Sequence, residues 1–249
     1  MLSTGPRRVA AIAGGVVYGT GLIVAYEYSR PKPALLTCEE RCCKFANLAP
    51  RYDQAIAKDE EASGILAWRK ELTAQAKGRV LEVAGGTARN VQFYTEAVED
   101  LVISDNCEAM LQVAARHIAE ARADRHQHYC PSSITLAVFD ASKMPFANAS
   151  FDTVVDTFGI CSFEDPAGAL KEMARCCKPG GSVLLLEHGA SSWPPLRWWQ
   201  EHRLNRHVDM WGCYWNRDIE GLVRDSGLRI VEKKRMHFGS TFMLRCEPG

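Results

Sequence analysis

Four short segments carry the side chains whose types and spacing could hold a nucleotide-like molecule. The first is Glu82-Val83-Ala84-Gly85-Gly86-Thr87-Ala88, where an apolar run ends in a glycine turn with an acid just ahead of it. Glycine lets a backbone turn tightly and approach a ligand closely. The second is Ser104-Asp105-Asn106. A carboxylate about twenty residues past such a loop can accept hydrogen bonds from both hydroxyls of a ribose. The third is Asp140-Ala141 and the fourth Thr157-Phe158-Gly159. Taken singly, Asp105 is more often a helix N-cap than a ribose ligand, and Glu82 reads as a structural polar group at a strand end. Taken in order, the four segments are far more specific. His188 is the candidate catalytic base, needed only if a bound acceptor must lose a proton. His202 and His207 follow it and read as structural or surface histidines.

These segments need strands to present them. RVLEVA (79–84), LVIS (101–104), ITLAVF (134–139), FDTVVDTF (151–158), SVLLLEH (182–188), RIVEKKR (229–235) and TFMLRC (241–246) read as seven strands. Helices are expected over 38–77, 89–97, 107–122, 166–176 and 217–225, the last with Asn216 as N-cap. Alternation of this kind implies an α/β fold with a largely parallel, doubly wound sheet. The early strands are apolar almost throughout, as strands covered on both faces must be. The last two strands are joined by a short loop containing Gly239, so they form a hairpin and the final strand runs antiparallel. In open α/β sheets, ligands bind beyond the carboxyl ends of the strands, where all four segments fall.

The loop does not fit G-x-G-x-x-G, which needs glycine at 84, 86 and 89, where the chain has Ala84, Gly86 and Arg89. It fits G-x-G-x-G at 84, 86 and 88, with alanine at both ends. With Glu82 two places ahead, this pattern resembles motif I of the class I S-adenosylmethionine-dependent methyltransferases, and the resemblance covers residues 45–247. EVAGGT is similar to the acid-V/L-AGGT motif of the ubiquinone/menaquinone C-methyltransferases. SFDTVVDTFGICSFEDP (150–166), EHG (187–189) and WGCYWNRDIEGLVRDSGL (211–228) resemble another group. These are the membrane-anchored methyltransferases of the mitochondrial inner membrane and their methyltransferase-like relatives at the endoplasmic reticulum and lipid droplets.

The resemblance implies a Rossmann-like methyltransferase fold with S-adenosylmethionine (AdoMet) as cofactor. Ala84 would open the loop, and Gly85, Gly86 and Thr87 would pass close to the methionine part. Glu82 would bond the amino group, directly or through water. Asp105 would hold the ribose, with Asn106 and Met110 along the adenine and Asp140 and Ala141 at its edge. Thr157 and Phe158 would offer backbone groups near the sulfonium, and Tyr52 would help close a lid. Ala88 is expected in the first turn of the following helix with negative φ, where alanine is welcome. The implied activity is methyl transfer to a small or lipophilic acceptor. Two alternatives stay open: a quinone-biosynthesis C-methyltransferase, and a methyltransferase-fold assembly or scaffold factor that binds little cofactor.

Residues 9–26 carry no charge and just reach the length of a membrane span. The expected organisation is a short basic tail (1–8), a transmembrane anchor (9–28) in the lipid bilayer, a linker (29–44) and a methyltransferase domain (45–249). Gly15 and Gly19 form a small-xxx-small face that would allow anchor helices to associate. An Arg-bearing, acid-free start also resembles a mitochondrial import signal, so the mitochondrial inner membrane is the expected location, with the endoplasmic reticulum or lipid droplets as alternatives. Formal net charge is zero, which gives no bulk attraction to nucleic acid. Most of the ten cysteines read as reduced and buried. The Cys38-Cys42-Cys43 cluster lacks zinc-ribbon spacing and reads as one face of a short helix, and no metal site is expected. Trp211 and Trp215 read as core, and Trp198 and Trp199 as exposed enough to touch an acceptor or a bilayer.

Overall fold

The computed structural model describes Tyr26, residues 31–123 and residues 130–249. Seven strands form one sheet: β1 (Gly78–Val83), β2 (Val98–Asp105), β3 (Ser133–Val138), β4 (Phe151–Thr157), β5 (Cys177–His188), β6 (Leu228–Met236) and β7 (Thr241–Pro248). Their order is β3-β2-β1-β4-β5-β7-β6. Only β7 runs antiparallel to its neighbours, β5 and β6. β1 pairs with β2 on one side and β4 on the other. The chain thus winds outward in opposite directions from the β1–β4 seam, which is the switch point where such sheets bind ligands.

Side-chain alternation along the strands builds two cores. On one face Val80, Leu101, Ile103, Val155, Leu184 and Leu186 meet Ile65 and Leu72 of α3 (Ile65–Thr73) and Leu111, Ala114 and Ile118 of α4 (Glu108–Ala123). On the other, Leu81, Val83, Val154, Val183 and Leu185 meet Leu170 and Met173 of α5 (Pro166–Cys176) and Ile219 and Val223 of α7 (Ile219–Asp225). Each fully buried large aliphatic side chain contributes about 1.5–3 kcal/mol relative to exposure. The same alternation puts Glu82, Thr157 and His188 on the first face, and Asp156 and Glu187 on the second.

Several boundaries differ from the sequence expectation. The stretch 38–77 is broken into α1 (Cys38–Leu48), a 3-10 turn at Ala49–Arg51, α2 (Tyr52–Ser63) and α3. Pro50 lacks the N–H a continuous helix needs, and Gly64, at φ 79°, closes α2 in the left-handed region. No α-helix follows β1; the chain turns and makes only a 3-10 segment at Val91–Phe93. The N-cap of α7 is Asp218, which accepts from Gly221 N–H, rather than Asn216. The aromatic segment after β5 contains an unforeseen helix, α6 (Pro194–Trp211), started by its proline pair and stopped by Gly212 at φ 66°. Only Gln200, Leu204 and Val208 of α6 are buried, a stripe too narrow to show as clear periodicity.

Residues 31–44, read as a linker, lie against the domain. The Tyr214 hydroxyl donates to Ala34 C=O at 2.7 Å and accepts from Leu36 N–H at 2.8 Å. Asn205 Nδ2 donates to Pro31 C=O at 3.0 Å. Thr37 and Glu40 form a reciprocal capping box at the start of α1, so the boundary placed at 45 falls inside a helix. Among the described residues no helix is long and apolar enough to cross a membrane. The expected anchor at 9–28, with Gly15 and Gly19, lies outside the described residues apart from Tyr26.

Candidate active site

The loop after β1 is held by its own backbone. Gly85 N–H donates to Ser104 C=O at 2.8 Å and Ala88 N–H to Gly85 C=O at 2.9 Å. Gly86 N–H donates to Asp105 Oδ2 at 3.0 Å. A Cβ on Gly85 would lie 2.4 Å from Ile103 Cγ2, so only glycine fits there. Gly86 has φ 57°, as its type allows, but Ala84 at 48° and Ala88 at 64° are left-handed as well. The expectation for Ala88 is therefore wrong: its φ is positive and no helical turn begins there. Left-handed backbone costs an alanine roughly 1–2 kcal/mol, and it persists where the surroundings over-determine it.

Behind the loop lies a buried polar network. Glu82 accepts from Asn90 Nδ2 at 2.9 Å and from the Tyr94 hydroxyl at 2.7 Å. Burial pushes the Glu82 carboxyl up to about 7 despite those two hydrogen bonds. Arg69 Nη1 donates to Asn90 Oδ1 at 3.0 Å, while its Nε and Nη2 hold Glu60 Oε1 at 3.1 and 2.7 Å. Arg89 spans Glu60 Oε2 at 2.7 Å and Asp53 Oδ1 at 2.8 Å. The Thr87 hydroxyl donates to the same Asp53 oxygen at 2.8 Å. These bonds take the side chains of Arg89 and Asn90 inward. With left-handed Ala88, that explains the missing helix at 89–97.

A cavity of about 430 Å³ opens at the β1–β4 seam, within the usual range for small-molecule sites. Of the residues chosen from sequence, Ala84, Gly86, Asp105, Asn106, Met110, Thr157, Phe158, Tyr52 and His188 line it. Glu82, Gly85, Thr87, Asp140 and Ala141 do not. Glu82 and Thr87 are turned into the network, and Gly85 is wedged on Ile103. Asp140 Oδ1 closes a local turn with Ser142 N–H at 2.8 Å, and Ala141 packs in the core. Burial pushes the Asp105 carboxyl up to about 6, against the pull of the Cys107 and Gly86 N–H groups and the nearby Arg41 charge. Burial likewise pushes Tyr52 up to about 12. Arg41 of α1 is buried and lines the same cavity. It was not singled out in the sequence, where one arginine on a short helix looks like any solvated charge.

The far half of the cavity is aromatic. His207 stacks on Trp215 at 3.8 Å, and both line the cavity with Trp211. Trp215 also packs on the Leu204–Val208–Tyr214 cluster, as its core reading expects, and His207 is a structural histidine as read, but Trp211, Trp215 and His207 all face the cavity, which the sequence reading did not foresee. Burial, then the His188 charge, push His207 down to about 4, so its ring is neutral near pH 7. His188 packs on Phe158, ring centroids 4.4 Å apart. Trp198 and Trp199 are 52% and 44% exposed. Trp198 stacks on His202, and Trp199 leans on Trp215. On the opposite face of the sheet, burial and mutual repulsion push Glu187 well above the carboxylate range beside Asp156. Each of the pair takes one backbone N–H from the turn after β4, Ile160 to Asp156 and Cys161 to Glu187.

A glycine-bounded cradle with an acid facing it and an apolar compartment beyond fits a nucleoside carrying a reactive alkyl tail. Comparison with known proteins agrees. The family model described as "Methyltransferase domain" matches residues 81–185. Residues 81–185 thus carry a methyltransferase domain, and its relatives support AdoMet as the cofactor. The chain is 28% identical over 229 residues to the mitochondrial methyltransferase OMS1 of Saccharomyces cerevisiae, covering 88% of this chain and 48% of that one. It is 33% identical over 164 residues to demethylmenaquinone methyltransferase of Renibacterium salmoninarum, covering 64% and 63%. The chain thus spans about half of the first relative and under two thirds of the second. The solved DhpI–SAH complex superposes with a TM-score of 0.62 at 16% identity, over 85% of this chain and 97% of that one. That likeness is one of fold.

Proposed function

We propose that this chain transfers the AdoMet methyl group to a small, largely apolar acceptor, with the domain held at a membrane by residues 9–28. The observation that carries the reading is the single cavity joining the switch-point loop to an aromatic wall. AdoMet supplies an already activated methyl group. The protein's share is therefore position and dryness. Asp105 holds the ribose, Asn106 and Met110 flank the adenine, and Ala84, Gly86 and the Thr157–Phe158 backbone border the methionine and sulfonium. Glu82 supports the loop through Asn90 and meets the amino group only through an intervening water. Trp211, Trp215 and His207 orient the acceptor. Orientation alone can contribute about 7–11 kcal/mol in favourable cases. His188 stands where an acceptor proton would leave.

The yeast relative's name supports a mitochondrial location for this chain, and membrane attachment rests on the apolar run at 9–26. A second reading, C-methylation of a quinone precursor, is favoured by the menaquinone relative. One experiment orders the readings. Titrate the full chain with AdoMet and follow melting, where cofactor at one hundred times its dissociation constant stabilises by about 2.7 kcal/mol. Then follow labelled methyl from AdoMet into lipid and aqueous extracts. Label in the lipid fraction supports the proposal, and a prenylated quinone as the labelled product supports the second reading. No melting shift at millimolar cofactor leaves only a scaffold role.

A further inference from the structure

We propose that Cys161, His188 and Cys213 bind a thiophilic divalent cation, with Zn²⁺ the ion that fits, and with one coordination position open to the cavity. The three residues come from separate places: the turn after β4, the last residue of β5, and the segment after α6. Their ligand atoms all lie within 4.8 Å of one another. Cys213 Sγ and His188 Nδ1 are 3.7 Å apart. Zn–S bonds of about 2.3 Å and Zn–N bonds of about 2.0–2.1 Å in a tetrahedron put such atoms about 3.6–3.8 Å apart. The closing movement needed is thus about 1 Å or less.

The ligand chemistry agrees with the spacing. Two thiolates and an imidazole are a set used by three-ligand zinc sites that keep a fourth position open. Sulfur donors argue against Mg²⁺ and Ca²⁺. Two thiolates also cancel a dication's charge, which a buried site requires; Cys161 and Cys213 are 1% and 6% exposed. The scaffold around them is fixed by backbone. Tyr214 N–H donates to Cys161 C=O at 2.7 Å, tying the two cysteine segments together. Arg217 clamps the turn by donating to Ile160 C=O at 2.5 Å and Phe163 C=O at 2.6 Å. Cys161 N–H is held by Glu187 Oε2 at 3.2 Å.

All three ligands line the cavity that Asp105 and Gly86 also line. The fourth position therefore takes water or a donor atom of a bound molecule. Coordination lowers the pKa of such a donor. That consequence rests on the methyl-transfer reading, whereas cation binding does not. In the loaded protein His188 is a ligand rather than a free base, and the metal takes over activation of the acceptor.

The test uses the full chain purified under reducing conditions and titrated with Co²⁺, then Zn²⁺. The expected result is one Co²⁺ per chain, with thiolate-to-cobalt charge transfer and the intense visible bands of a tetrahedral ion, displaced by Zn²⁺. Cys161→Ser and Cys213→Ser each lose charge-transfer intensity and weaken binding by about 100-fold or more, since even outer-shell changes cost 10–100-fold. Because a variant can misfold, zinc-edge X-ray absorption on the wild-type chain supplies a second readout, expected to show two sulfur neighbours at about 2.3 Å. An octahedral cobalt spectrum, a zinc edge without sulfur, or bands unchanged in both serine variants would overturn the proposal. AdoMet melting run in parallel keeps the two readings apart. A cofactor shift without a cobalt site sinks only the metal, and a cobalt site without a cofactor shift sinks only methyl transfer.

Discussion

Arg69 Nη1 donates to Thr157 Oγ1 at 2.9 Å, tying α3 to the last residue of β4 at the edge of the cavity. The same guanidinium lies 5.0 Å from the Phe158 ring and grips Glu60. Breaking a buried ion pair by removing one partner costs about 3–5 kcal/mol. Glu60 keeps Arg89, so Arg69→Met should cost about 3 kcal/mol, the lower end. At roughly 2–4 °C per kcal/mol for a chain of this size, melting should fall by about 6–12 °C. A loss under about 1 kcal/mol would mean that this network does not carry the fold.

Asp105 gives a pH dependence with a definite sign. Its carboxyl is raised to about 6, with Arg41 from α1 and the Gly86 and Cys107 N–H groups facing it. A ribose prefers the ionised form, so AdoMet affinity should be flat above pH 6. Below it, affinity should fall by up to about tenfold per unit. Stability has the opposite trend. A raised folded-state value means that this group's contribution declines as pH rises from about 4 to 6. Asp105→Asn should weaken AdoMet binding by about 1.5–3 kcal/mol, the worth of a charged hydrogen bond, and should flatten the affinity profile. Calorimetric titration at several pH values reads both, and an unchanged slope in the variant would sink the assignment.

Ala84 offers a gain. Its φ of 48° is left-handed, and its half-buried methyl borders the cavity while packing on the edge of the core. Ala84→Gly should relieve about 1–2 kcal/mol of backbone strain, partly offset by glycine's greater freedom in the unfolded chain. A net rise of about 2–4 °C in Tm is expected. A fall in Tm would show that the Ala84 methyl contributes more by packing than its backbone loses by strain.

The segment before α1 depends on one hydroxyl. Tyr214→Phe removes its bonds to Ala34 and Leu36, worth about 0.5–1.5 kcal/mol each. Proteolysis within residues 31–37 should speed up about tenfold or more while Tm changes little. Equal cleavage rates in both proteins would count against this fastening.

The strands and the hairpin were legible because fully buried strands leave unbroken apolar runs, as in VLEV and SVLLLEH. That Asp105, Gly86 and Thr157 would meet at one cavity was legible because position at a strand end is a matter of chain order. Arg69, Glu60 and Asn90 were not. Their side-chain partners lie 8 to 88 residues away, and a buried arginine has the same letter as an exposed one. Glu82 was placed correctly at its strand end, but its hydrogen bonds from Asn90 and Tyr94 hold its carboxyl in the network, away from the cavity. Ala88 misled because alanine is a strong helix former, and nothing local signals that neighbouring hydrogen bonds force positive φ.

Glu60 also bears on how fast molecules come and go. Freeing α2 from the cavity rim would separate Glu60 from two arginines in a poorly hydrated setting, and desolvating each ion costs several kcal/mol. α1 is held by apolar contacts and by exposed bonds such as Lys44 Nζ to Asp209 C=O and Cys38 N–H to Glu164. It is also held by one buried side chain, Arg41, whose Nη1 donates to Ser162 C=O at 3.5 Å and which makes no direct ion pair among the described residues. Every 1.36 kcal/mol in a barrier is tenfold in rate. If the cavity exchanges its ligand by opening one wall, α1 is therefore expected to yield before α2, on the side of the domain where the chain arrives from its amino terminus.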